Sequence, residues 1–136
     1  MKTRPAKIAL AITYTDAPPP VVKPKPAAPA AVVIFRTFKR ADGETIALFP
    51  CEPFDRHGFY CVSYQHTGQH GGAMPSLTSS AATRPATRAE ARTLAAELRR
   101  AGYRLDIRRR RTQAHDAARR ATAIANFRAA LHTATL

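Results

Sequence analysis

Phe59-Tyr60-Cys61-Val62-Ser63-Tyr64-Gln65-His66-Thr67-Gly68-Gln69-His70 decides the reading of this chain. It opens as an aromatic, β-branched run, the composition of a strand. It passes without a break into a polar turn holding two histidines and a glutamine. The two faces of that strand are Phe59, Cys61, Ser63 and Tyr60, Val62, Tyr64. Both are largely apolar or aromatic, so one face is expected to lie on a helix and the other to be covered or used for binding. The pattern predicts that Phe59 to Tyr64 are buried in mid-sheet.

Upstream, Val32-Val33-Ile34-Phe35-Arg36-Thr37-Phe38 reads as a first strand. Asp42-Gly43 is the pair of a tight hairpin. A second strand runs from Thr45 to Phe49, where Pro50 is expected to stop it, because proline cannot donate to a ladder. Asp55-Arg56-His57-Gly58 is a further turn. Residues 1–31 form a separate region. Ile8, Leu10, Ile12 and Tyr14 alternate with smaller residues as a short strand or an exposed arm would. Pro18-Pro19-Pro20, Pro24, Pro26 and Pro29 then make an extended, semi-rigid linker.

Downstream, Thr67 to Ala86 is too long for a plain loop, and a short strand is expected near Ser76 to Ser80. Thr87 and Glu90 form a capping box behind Pro85. Ala91, Leu94, Ala95, Leu98 and Ala101 then follow the spacing of one helical face. Arg99 and Arg100 suit the last turn, and Gly102 the position after it. Tyr103, Leu105 and Ile107 alternate with Arg104, Asp106 and Arg108 as a half-buried strand. After the basic run Arg108 to Arg111, an Ala-rich helix is predicted from about Gln113 to Leu131. Its thin apolar stripe is Ala117, Ala121, Ile124, Phe127 and Leu131. That helix could dock on the sheet, pair with a second copy, or stand free.

The predicted fold is α+β. A small antiparallel sheet of four to five strands carries the Thr87–Ala101 helix on one face, within a domain spanning 32–109. A Pro-rich flexible arm, 1–31, precedes it, and a basic C-terminal helix, 110–136, follows. Length agrees: 136 residues leave room for one small domain. Two cysteines, Cys51 and Cys61, are too few for a disulfide framework. No apolar run approaches the roughly 20 residues of a membrane span, and the apolar stretch after the basic N-terminus is short for a signal peptide. The protein is expected to be cytoplasmic, with no membrane partner.

With this order of elements laid out, Val33-Ile34-Phe35-Arg36, Ile46-Ala47-Leu48-Phe49-Pro50, the block from Ser63 to His70 and Thr83-Arg84-Pro85-Ala86 resemble the motifs of a protein family. Its members are small, uncharacterised proteins encoded by bacteria and their mobile elements. The most specific part is Ser-Tyr-x-His-x-Gly-Gln-His, and the resemblance covers about Val32 to Arg109. It implies a domain boundary and a shared loop, with no established activity attached. The Pro-rich arm, the C-terminal helix and both cysteines stand outside the pattern.

Charge is the main functional clue. The formal net charge is +13, and from Arg84 onward the chain holds 13 basic and 4 acidic side chains, +9 of that total. Such a balance favours DNA or RNA as a non-specific partner. The candidate phosphate contacts are Arg99, Arg100, Arg104, Arg108, Arg109, Arg110, Arg111, Arg119 and Arg120. A competing reading is compositional, since Ala, Arg and Pro are enriched together. His66 and His70 are candidate catalytic residues, as general acid and base for cleaving a phosphodiester. Gln69 and the amides of Gly71 and Gly72 would then hold the phosphate. The plainer reading has both histidines hydrogen-bonded to backbone carbonyls, fixing a loop structured by Gly68 and Gln69. Cys61, His66 and His70 with Cys51 or His57 do not match a familiar zinc spacing, so no metal is expected. No phosphate-cradling glycine loop, Cys-x-x-Cys or paired carboxylates occur, and no cofactor is expected. The leading expectation is a non-enzymatic nucleic-acid-binding or accessory protein of a bacterial mobile element. The alternatives are a histidine-dependent, ribonuclease-like enzyme and a protein-interaction module, the latter with the C-terminal helix as a homodimer or partner face.

Overall fold

Two long strands with β-branched and aromatic residues on both faces can be buried only in the middle of a sheet covered on both sides. These are β1 (Ala31–Phe38) and β2 (Thr45–Pro53), which bury Val33 to Thr37 and Ile46 to Pro50. The structure, a computed structural model, describes residues 29–40, 42–66 and 69–134. The expectations for the alternating Ile8–Tyr14 run, for the prolines up to Pro26 and for Gly68 lie outside the described residues. At the hairpin, Gly43 adopts φ 47° and its amide donates to the Arg40 carbonyl. The pairing runs antiparallel from Thr37↔Thr45 to Ile34↔Leu48.

β3 (Cys61–Gln65) pairs antiparallel with β2, and β4 (Gln69–Ala73) with β3. The far edge of β1 is shared. β5 (Thr83–Pro85) lies antiparallel to Arg36–Phe38, and β6 (Leu105–Ile107) lies parallel to Ala31–Val33. The sheet is therefore six-stranded, in the order β4-β3-β2-β1 with β5 and β6 end to end on the last edge. The expected antiparallel sheet of four to five strands holds in its main part, and the structure adds to it β6, which runs parallel to β1. Helix α1 (Arg88–Arg100) returns the chain from the middle of β1 to its start, so β6 must run alongside β1.

Three local expectations are corrected. Phe59 and Tyr60 are not mid-sheet: they are 71% and 47% exposed, and β3 begins only at Cys61. A closed turn precedes it, in which Asp55 Oδ1 accepts from the Tyr60 amide at 2.8 Å and the Phe54 amide donates to the Tyr60 carbonyl. Pro50 does not end β2. It lies beyond the last paired position of β1, where the β2–β3 register also shifts, so its missing N–H costs no ladder bond there. In place of a strand at Ser76–Ser80 stands a 3₁₀ turn, Pro75–Thr78, opened by its proline and closed by Thr78 Oγ1 donating to the Pro75 carbonyl.

α1 follows its capping signals. Thr87 accepts from the Glu90 amide, and the Glu90 carboxylate accepts from the Thr87 amide. Its apolar face buries Leu94, Ala95 and Leu98 on Val33, Phe35, Ala47, Phe49 and Tyr64. The other face of the sheet carries a second cluster, Ile46, Leu48, Cys61 and Ala73, with Phe38 and Leu77 against it. Helix α2 (Gln113–Ala134) docks on β2. Arg119 is the clasp: buried, it donates to the carbonyls of Pro50 at 2.7 Å and Gly58 at 2.8 Å and pairs with Asp116. Ala123 is buried beside Gly58, whereas Ile124, Phe127 and Leu131 remain exposed.

Candidate functional site

The shared edge of β1 creates the first site. β5 and β6 approach from opposite ends and point their carboxyl ends at the middle of β1. The chain leaves β5 directly into α1, and leaves β6 through Arg108–Thr112 into α2. Where neighbouring strands send their connections to different sides, a crevice opens outside the strand ends, the usual position of a ligand on an open sheet.

Two grooves meet there. On the α1 side, Arg88, Arg92, Arg99, Arg108 and Arg109 surround an apolar floor that includes Phe35, Ala91, Ala95 and Ile107. On the other side, Arg36 and Arg108 to Arg111 face Thr78, Ser79 and His115 across a cleft of about 900 Å³. Arg108 and Arg109 line both. Arg36 is only 8% exposed and donates to Thr83 Oγ1 at 2.9 Å and to the Thr83 carbonyl at 3.0 Å. No carboxylate among the described residues pairs with it, and burial lowers its pKa. A guanidinium fixed in this way is a standing positive charge at the groove wall. Arg108 pairs with Asp106, whose carboxyl it holds below the usual range. Arg111 reaches Asp116 at 3.4 Å. Arg109 and Arg110 are exposed, with no ion pair among the described residues.

The second site lies at the other end of the sheet, on the α1 face. Glu97 of α1 accepts from the Tyr64 hydroxyl at 2.7 Å through Oε1 and meets His66 Nδ1 at 2.6 Å through Oε2. The Tyr64 hydrogen bond, then the His66 contact, lower the Glu97 pKa. His70 stands in β4 opposite Tyr64, its ring edge-on to that phenol at 4.8 Å. Its Nε2 lies 3.3 Å from the Tyr103 hydroxyl, and Tyr103 stacks on Phe49. His66 thus meets a side chain of α1, and His70 meets side chains of β3 and of the segment after α1. Gly72 is not an open anion cradle, since the ring of Phe54 lies over it too closely for any Cβ. Cys61 is buried in the cluster with Ile46 and Leu48, away from the His70 face. Both cysteines are free thiols, and burial pushes that of Cys61 up to about 11. Gln69 belongs to β4, and its side chain lies outside the described residues.

The structure therefore sorts the basic residues named from the sequence. Arg99, Arg108, Arg109, Arg110 and Arg111 converge on the two grooves. Arg100, Arg104 and Arg120 are exposed elsewhere. Arg119 is withdrawn from the surface into the clasp of α2. Sequence reasoning missed Arg88 and Arg92, although their spacing to Arg99 along α1 puts all three on one side of the helix. It also missed Arg36 and Glu97, which only long-range contacts bring into place.

Among the described residues no helix is long and apolar enough to cross a membrane, and no group of three or more His, Cys, Asp or Glu is arranged to hold a metal ion. Comparison of the chain with models of protein families, with curated proteins and with solved structures returns no match.

Proposed function

We propose that the protein binds nucleic acid, without base preference, along the arginine-lined edge where β5 and β6 meet. The observation that supports this most directly is the double use of Arg108 and Arg109, which join the grooves on the two sides of the sheet into one basic track. Arg108 is paired with Asp106, whereas Arg109 and Arg110 are exposed with no ion pair among the described residues and can exchange condensed counterions for phosphates, which supplies affinity without reading sequence. The α1 groove adds an apolar floor, which bases exposed by a single strand can cover and the phosphate wall of a duplex cannot. Glu90 is no obstacle, because its carboxylate is taken up by Arg84 and by the capping box.

The test is fluorescence anisotropy with a labelled oligonucleotide over a salt series. The wild-type protein should lose affinity linearly in log–log form. Arg109→Ala with Arg110→Ala should weaken binding to every sequence alike and reduce the salt slope by about one for each phosphate no longer neutralised. An unchanged slope and affinity would sink the proposal.

A further inference from the structure

We infer that the gap between the ends of β5 and β6 seats one backbone phosphate of the bound nucleic acid, held by the main-chain amide of Phe35 and the guanidinium of Arg36. Nucleic acid as the source of that phosphate rests on the proposed function; the anion site stands on its own observations.

The outer edge of β1 is covered from both ends and open in the middle. The Arg108 amide donates to the Val33 carbonyl at 2.8 Å, and pairing with β6 goes no further. The Ala86 amide donates to the Phe35 carbonyl at 3.1 Å, and pairing on the β5 side stops there. In an antiparallel ladder the N–H and C=O of one residue point to the same edge. The Phe35 amide therefore faces the gap between these two bonds, and no acceptor for it is found among the described residues. Beyond Ala86 the chain turns into the cap of α1, and beyond Arg108 it runs into the corner before α2. The two carbonyls that bound the gap are two residues apart, about 7 Å along a strand. That width admits one small group and no further length of chain. Phe35 is only 6% exposed, so its amide lies at the bottom of the gap. Buried main-chain donors are almost always paired, and this one marks a place for an acceptor from outside the fold.

The charge comes from Arg36. Successive side chains leave a strand on opposite faces, so Arg36 stands next to this amide on the face away from Phe35 and α1. It is more than nine-tenths buried and lines the cleft with Arg108 to Arg111. Its Nε and Nη2 are engaged by Thr83 and Ser80, while Nη1 has no partner among the described residues. The carboxylates of β6 and α2 are occupied elsewhere, Asp106 by Arg108 and Asp116 by Arg111 and Arg119. A buried cation without a counter-charge is costly, and a phosphate in the gap offsets that cost. The planar guanidinium also suits phosphate oxygens in geometry, where a point charge would not.

The position sets how the ligand crosses the protein. Pro85, Arg108 and Arg109 border both grooves, so the gap is the passage between the two sides of the sheet. One phosphodiester sits in the gap. The base on one side covers the apolar floor of the α1 groove, and the next phosphate on the other side meets Arg109 to Arg111.

The test is an amide NMR titration of the full-length, isotope-labelled protein with three probes: oligothymidylate, its uncharged methylphosphonate counterpart, and inorganic phosphate. Oligonucleotide binding is followed in parallel by anisotropy. With oligothymidylate the Phe35 amide proton should move downfield, and its exchange with solvent should slow by about 10-fold or more. Inorganic phosphate should move it the same way at higher concentration, and the methylphosphonate strand should leave it in place. Arg36→Gln should weaken oligonucleotide binding by about 10-fold or more, the loss expected of one hydrogen bond to a charged group. Arg36→Lys keeps the charge without the fork and should fall between that variant and the wild type. Circular dichroism reports whether these variants fold, and the wild-type titration decides the question where they do not. A Phe35 amide unmoved by saturating oligothymidylate would overturn the inference and leave the arginine track standing. An equal shift with the methylphosphonate strand would overturn it too. A shift with inorganic phosphate in a protein that binds no oligonucleotide would keep the phosphate site and sink the nucleic-acid reading.

Discussion

Arg119 and the pair Arg109–Arg110 are the same residue type within a dozen positions of one another, yet they belong to opposite categories. Arg119 points inward, where three acceptors take up its guanidinium and tie α2 to the end of β2. Arg109 and Arg110 sit where β6 has ended and α2 has not begun, and the fold uses neither of them. The difference teaches that a basic run is not one signal. A guanidinium that replaces water with carbonyls holds the fold together, and one left in water attracts a polyanion.

The largest expected effect comes from breaking the clasp. Arg119→Ala leaves the carbonyls of Pro50 and Gly58 and the Asp116 carboxylate without their buried partner. It should cost about 3–5 kcal/mol, the range for removing one member of a buried charged network, read as a fall in the denaturant midpoint. A stability change as small as that of Arg110→Ala would erase the contrast between the two sites. Gly58→Ala probes the same clasp from its other side. Gly58 has φ 76°, and an added Cβ would lie 3.2 Å from that of Ala123. The backbone conformation alone should cost about 1–2 kcal/mol, and a loss of helix signal at lower temperature would show α2 detaching.

Arg109→Ala and Arg110→Ala should each change stability by no more than about 0.5 kcal/mol, while weakening oligonucleotide binding. Loss of folding in either would mean that the corner is structural after all. A smaller effect is expected from acid titration. Arg84, then the Thr87 amide and Thr37, hold the Glu90 carboxyl well below its usual range. A depressed carboxyl stabilises the fold above the unfolded value of about 4.3, and that stability is lost as the pH falls below it. Glu90→Gln should remove this part of the acid dependence, seen as a shallower decline of Tm below about pH 4. The smallest effect concerns the far end of α2. Phe127→Arg should leave the melting temperature unchanged, because its side chain is exposed. Light scattering would show dissociation if the apolar stripe joins two copies, and no change if the protein is a monomer.

How much could be read beforehand depends on how local the cause is. The start of α1 was legible because Thr87 and Glu90 satisfy each other within one turn. The first hairpin was legible because Gly43 takes the positive φ that its turn demands. β5 escaped notice: Thr83-Arg84-Pro85 has no alternation of its own and is a strand only because β1 offers it an edge. β4 is glycine-rich and owes its existence to β3. The reading of Phe59 and Tyr60 failed because an aspartate five residues earlier closes the turn that holds them out. In the histidine patch, the two imidazoles were visible from the block itself, while the Glu97 that meets one of them lies 31 residues away.

Sequence alone determined the α+β class, the central strands, the capped helix and the surplus of positive charge, since each rests on local propensity, hydrophobic period or composition. Tertiary structure decided that β6 runs parallel to β1, that Arg119 is buried while Arg109 and Arg110 are not, and that Glu97 meets His66. Those outcomes depend on which distant segments are brought together, and contacts across 30 to 70 residues leave no periodic trace in the chain.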